Sequence, residues 1–167
     1  RARVNPYHPA PMSETHSLPH LVDPGKMAEQ SAQLVLRTPL AAFRRLREVT
    51  LSDEGDVSVQ IRFHRDARGV PNVRGEVSTT VEQTCQRCLG AVSVPVHADV
   101  NVFLLNDESY ADRLSEDDDY VVFGDDRLDL PELLEDELIM ALPLVARHED
   151  CQPQAALTVL PEADDEP

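Results

Sequence analysis

Between Val57 and Leu104 apolar residues recur at every second position, in three runs broken by two polar turns. Val57, Val59, Ile61 and Phe63 alternate with Ser58, Gln60, Arg62 and His64. The pattern resumes at Val73, Gly75, Val77, Thr79 and Val81, with Arg74, Glu76, Ser78, Thr80 and Glu82 between them. It returns from Val92 through Val94, Val96, Ala98, Val100 and Val102 to Leu104. Successive side chains of an extended chain point to opposite faces, so a period of two marks a strand buried on one side. Strands joined by turns as short as residues 66–72 and 85–90 pair most simply as an antiparallel meander. Pro95 falls on the face opposite the valines, which suits a sheet edge or a bulge.

A sheet that is apolar on one face needs a lid. Residues 129–142 provide it: Leu130, Leu133, Leu134, Leu138, Ala141 and Leu142 share one helical face. Asp129 is placed to cap this helix, with Glu132 as the second half of a capping box. Pro131 is tolerated in the first turn, and Pro143 ends the helix. Upstream, residues 33–38 read as a further strand and 39–47 as a short helix, with Leu40, Phe43 and Leu46 about one turn apart. Short helices are expected over 25–30 and 109–114, and a short strand over 120–123. The fold class is therefore α+β: an antiparallel β-meander packed by one or two helices. One domain spans 18–151, between a Pro-rich disordered tail over 1–17 and an acidic disordered tail over 152–167. Met12 would suit a translation start, so residues 1–11 read as an upstream extension.

Aromatic residues make up 4% of the chain and Trp is absent, so Val, Leu and Ala must fill the core. No apolar run approaches the roughly 20 residues of a membrane span. Three cysteines, an odd number with no apolar leader before them, fit a reducing cytosol better than a disulfide scaffold. The net charge of −16 is unevenly spread. Residues 1–100 carry 12 Lys and Arg against 11 Asp and Glu, a balance of +1, whereas residues 101–167 carry 3 against 20, a balance of −17. A field of that sign repels phosphate and attracts basic partners. Contact with RNA would therefore need a local basic face. The densest basic cluster is Arg37, Arg44, Arg45 and Arg47, read either as a solvated helix face or as a phosphate-contacting patch. Glu132, Glu135, Asp136 and Glu137 form an acidic helix face, solvated or turned to a basic partner. Adjacent helical residues diverge by about 100°, so these acids do not converge as a catalytic set. The acidic block at 117–119 lacks the spaced oxygens and glycine turn of a Ca²⁺ loop.

The one cluster of metal-binding residue types is Cys85-Gln86-Arg87-Cys88 with His148-Glu149-Asp150-Cys151. Cys85, Cys88, His148 and Cys151 make a Cys₃His set, an accepted combination for structural Zn²⁺. Two alternatives stay open: reduced thiols packed in a tight turn, and a redox pair, although the latter normally relies on a helix N-terminus that is not evident here.

Cys85-Gln86-Arg87-Cys88-Leu89, followed in order by Leu128-Asp129-Leu130, Glu135-Asp136-Glu137-Leu138, Ala141-Leu142-Pro143 and His148, resembles the bacterial YceD family. The early Asp23-Pro24 fits the same pattern, and the resemblance covers roughly residues 18–151. It implies a cytoplasmic, non-enzymatic role in the synthesis, processing or stability of 23S ribosomal RNA, and hence in large-subunit biogenesis. The implied partners are a large-subunit precursor, 23S rRNA or a basic ribosomal protein, with no membrane involved. No catalytic residue and no established cofactor come with the resemblance. The competing readings are a zinc-binding or redox-sensing Cys-x-x-Cys protein that meets a basic ribosomal protein, and an RNA-processing enzyme. A metal-dependent nuclease would need convergent carboxylates.

Overall fold

The computed structural model describes residues 17–125 and 127–153. The two predicted tails, with Met12, lie outside the described residues except for Ser17, Gln152 and Pro153.

The alternating runs form strands β3 (Asp56–Arg65), β4 (Pro71–Thr84) and β5 (Ala91–Leu105), preceded by β2 (Gln33–Pro39). These four pair antiparallel in chain order, as the short turns require. Val57, Val59, Ile61 and Phe63 are buried on the inner face together with Val73, Val77 and Val81, and so is the alternate series of β5. Thr79 lies within this apolar series and is buried as well, its hydroxyl satisfied by donating to the Asp56 carbonyl at 3.0 Å. Gly75 holds a φ of +151° beside Ile61, and a Cβ there would lie 2.0 Å from the Gln60 carbonyl oxygen. The two strands approach so closely at that point that only glycine fits.

Strand β6 (Tyr120–Val122) adds to the far side of β5, but it runs parallel. The reversal of direction is available because 14 residues separate it from Leu105, room enough for the crossover that a parallel pair needs. Since β6 covers only Phe103 to Leu105, Pro95 sits along a stretch of β5 without a neighbour on that side among the described residues. There its missing N–H costs no ladder bond. Phe103 and Leu105 point away from the main core and make a second small cluster with Val70, beneath a 3₁₀ segment over Glu108–Arg113.

The lid is α3 (Leu130–Met140), lying across β4 and β5 with Leu130, Leu134 and Leu138 fully buried. The Asp129 carboxylate accepts the Glu132 N–H at 3.0 Å, the cap expected from the sequence. Asp129 also belongs to a two-stranded ribbon that the periodicity did not reveal: β1 (Leu21–Val22) pairs with β7 (Leu128–Asp129). Helix α1 (Pro24–Glu29) follows β1, capped by Asp23 accepting from the Lys26 N–H at 3.0 Å.

The helix expected over 39–47 is broken. Leu40–Ala42 is a 3₁₀ turn, Phe43 is extended and buried, and α2 covers only Arg44–Glu48. Phe43 offers no side-chain cap. The first N–H groups of α2 are satisfied from α3 instead. Glu135 accepts from the Arg45 N–H at 2.6 Å and the Leu46 N–H at 3.0 Å.

Candidate functional site

The turn between β4 and β5 is closed by its own backbone. The Cys85 N–H donates to the Gly90 carbonyl at 2.8 Å, and the Leu89 N–H donates to the Cys85 carbonyl at 2.9 Å, with Leu89 in the left-handed region at φ +60°. This folds Cys85 and Cys88 toward one point. The segment after α3 is then strapped across the turn by two bonds. The Gln86 N–H donates to the Ala146 carbonyl at 2.9 Å, and the Arg87 guanidinium donates to the Cys151 carbonyl at 2.8 Å.

The strap brings His148 and Cys151 to the cysteine pair. Cys85 Sγ lies 3.7 Å from Cys151 Sγ, and Cys88 Sγ lies 3.4 Å from His148 Nδ1. All four donor atoms fall within 4.8 Å of one another. A tetrahedral zinc with Zn–S near 2.3 Å and Zn–N near 2.0–2.1 Å sets its ligand atoms about 3.8 Å apart for two sulfurs and about 3.6 Å for sulfur and nitrogen. The four side chains, from two segments some sixty residues apart, therefore make a cluster that could hold a metal ion.

The electrostatics fit the same chemistry. The Cys88 backbone N–H, helped by the N–H groups of Arg87 and His148 and by the His148 side chain, outweighs burial and pulls the Cys85 thiol down to about 5. Burial, reinforced by the neighbouring Cys85 and Cys88 sulfurs, pushes the Cys151 thiol up to about 11. One thiolate forms readily and repels the next, which is the state a divalent cation relieves. The thiol lowering that sequence reasoning reserved for a helix N-terminus is produced here by turn amides. Cys85 is nevertheless fully buried, unlike the partly exposed thiols that react. Arg87 anchors the second cysteine segment through the Cys151 carbonyl, a role beyond the ligand set itself. Its position inside Cys-x-x-Cys, facing a second cysteine segment, was the available signal.

The charged residues singled out in the sequence are redistributed. The four arginines expected to cluster are divided by the fold. Arg37 stands on the outer face of the sheet opposite Ser58. Arg44 and Arg47 border a shallow depression with Leu51 and Ser52, and Arg47 pairs with Asp53 at 3.0 Å. Arg45 is engaged by Glu135 at 2.9 Å and Asp136 at 2.7 Å. On α3, Glu135 is buried rather than solvated, because it closes the amino end of α2. Glu132 remains exposed. Glu137 is partly buried, and burial followed by the nearby Asp119 and Asp136 raises its carboxyl above the usual range. No helix among the described residues is long and apolar enough to cross a membrane.

Comparison with known proteins places this arrangement. Residues 73–166, from β4 through both halves of the cysteine cluster, match the family model described as large ribosomal RNA subunit accumulation protein YceD. A Haemophilus influenzae protein of that description is 31% identical over 151 residues, 87% of each chain. No solved structure matches the chain. The match runs from the meander through the helical lid to the strapped cysteine turn, and on that extent this chain belongs to the YceD family.

Proposed function

We propose that this protein is a factor in the accumulation of large-subunit ribosomal RNA, acting in the cytoplasm by binding rather than by catalysis. The observation that carries this reading is the relative described as a large ribosomal RNA subunit accumulation protein, alike over 87% of both chains. The working unit is the domain over residues 18–151, and its partner is a large-subunit precursor, met through 23S rRNA or a basic ribosomal protein. A binding role also suits the acids of α3. Glu135 is spent on the backbone of α2 and Asp136 on Arg45, Glu132 shares their side of the helix one turn earlier, and Glu137 lies on another. They do not converge on one point, as metal-assisted phosphodiester cleavage would require.

In the same reading Cys85, Cys88, His148 and Cys151 hold a structural Zn²⁺. Four protein ligands fill a tetrahedral zinc and leave no position for water or substrate, the arrangement of a structural rather than a catalytic site. Its task is to fasten the segment after α3 to the tip of the β4–β5 hairpin. The test of function is depletion of the protein in growing cells, with 23S rRNA measured against 16S rRNA and the protein followed through a sucrose gradient. The expected result is a selective fall in 23S rRNA and sedimentation with large subunits or their precursors. Unchanged 23S rRNA together with protein only at the top of the gradient would overturn the reading.

A further inference from the structure

The outer face of the sheet carries a line of hydrogen-bond donors that neither the cysteine cluster nor the helical lid uses. The strand register sets Gln33 of β2 opposite Arg62 of β3, Arg62 opposite Arg74 of β4, and Arg74 opposite Asn101 of β5. All four are exposed. Directly opposed side chains on adjacent strands stand about 4.5–5.5 Å apart at Cβ, and two like charges so placed destabilise the pair. Arg62 and Arg74 are such a pair.

The usual relief is missing. Among the described residues no carboxylate forms an ion pair with either arginine. The nearest acids of the next row, Glu76 and Asp99, flank His97 instead, at 3.9 and 3.5 Å from its Nε2. Arg74 spends one donor on the Asn101 side-chain oxygen at 2.9 Å, and Asn72 donates to that same oxygen at 3.3 Å. With that acceptor engaged, Asn101 offers its amide N–H groups. Arg62 and Arg74 border a groove with Ser31, Gln33, His64 and Gly75. The line is donor-rich, and its two fixed charges face each other, in a chain whose net charge is −16.

We infer that this groove binds the phosphodiester backbone of RNA, with Arg62 and Arg74 as its phosphate contacts and Gln33 and Asn101 as flanking donors. A phosphate between the two guanidiniums supplies the anion whose absence makes the pair unfavourable, and guanidinium forks match phosphate oxygens. The inference rests on the ribosomal-RNA reading above for its choice of RNA over an acidic protein. A −17 C-terminal region would steer the rest of the nucleic acid away and confine contact to this face.

The test is equilibrium binding of the full chain to a fluorescent single-stranded fragment of 23S rRNA over a range of salt concentrations. The wild type is compared with Arg62→Gln/Arg74→Gln and, as a control on the other basic surface, Arg44→Gln/Arg47→Gln. Each phosphate contact on a single strand contributes about 0.7 to the slope of log K against log salt. The groove variant is expected to bind roughly tenfold more weakly, with its slope reduced by about 1.4, while the control is unchanged. Its thermal midpoint should not fall, because the substitutions remove a repulsion; this separates lost binding from lost folding. Wild-type affinity and slope in the groove variant, or no RNA binding by the wild type, overturn the groove even if the protein sediments with large subunits through a protein contact. Normal 23S rRNA on depletion overturns the functional reading instead, and leaves a measured groove standing.

Discussion

Glu135 holds Arg45 by both its backbone and its side chain. Oε1 accepts the Arg45 N–H at 2.6 Å while Oε2 accepts Nε at 2.9 Å, and Oε1 also takes the Leu46 N–H at 3.0 Å. A carboxylate on α3 thus caps a five-residue helix ninety positions earlier in the chain. That helix lacks the length to be stable alone and has no cap of its own. Glu135→Ala strips the cap and leaves two N–H groups without a partner, one of them buried, at a cost of about 2–3 kcal/mol. Glu135→Gln keeps an acceptor and loses the charge, and should cost about half as much. Urea unfolding of both variants checks the order. Equal losses would mean that the ion pair, not the cap, carries the stabilisation.

The cysteine cluster predicts one zinc per chain by elemental analysis. Serine at Cys85 or Cys151 should reduce zinc affinity by more than about 100-fold, since each supplies one of four ligands. Arg87→Ala releases the Cys151 carbonyl without touching a ligand, and should weaken zinc by about tenfold. Chelation should lower the thermal midpoint of the wild type and leave that of the serine variants unmoved. A zinc-free wild type with the same midpoint would refute the metal centre.

Gly75→Ala tests the strand crossing. The new methyl would meet backbone, the Gln60 oxygen at 2.0 Å and the Ile61 Cα at 2.7 Å, so neither neighbour can simply rotate away. Strain and displaced backbone together should cost about 3 kcal/mol or more, read as a lower urea midpoint with unchanged slope. A neutral outcome would show that the strands separate there at little cost.

Asp66 predicts part of the acid sensitivity. Burial pushes its carboxyl up, but the Arg68 side chain and the N–H groups of Val70 and Arg68 outweigh this and hold it below the usual range. A depressed folded-state pKa contributes stability above the unfolded value, near 3.9, and the contribution is lost as pH falls through the folded one. The deficit of Asp66→Asn relative to wild type should therefore be full at pH 6 and shrink below about pH 4. Denaturant titrations at several pH values would show it. A deficit constant with pH would assign Asp66 a role independent of its charge.

Local pattern was enough for the parts of this fold in which neighbours in sequence are neighbours in space. The alternation of Val57–Phe63, Val73–Val81 and Val92–Leu104 names its own inner face, and short turns leave antiparallel pairing as the simple solution. Asp129 announces the start of α3 because a cap acts over three residues. The ligand types and both spacings of the cysteine cluster could likewise be read from the chain, since Cys85 with Cys88 and His148 with Cys151 are each local pairs.

What folding decided is which distant groups meet. The period-3.6 reading carried one helix through Phe43, whereas burial of Phe43 and the reach of Glu135 broke it in two. The same contact removed Arg45 from the basic cluster and Glu135 from the acidic face, because a charge on one segment has no visible partner until the other is packed against it. Fourteen residues between β5 and β6 could return in either direction, and packing selected the parallel one. Arg62 and Arg74 read only as two outward residues on two strands. Their opposition depends on the strand register, and a shift of one residue would have sent one of them to the other face.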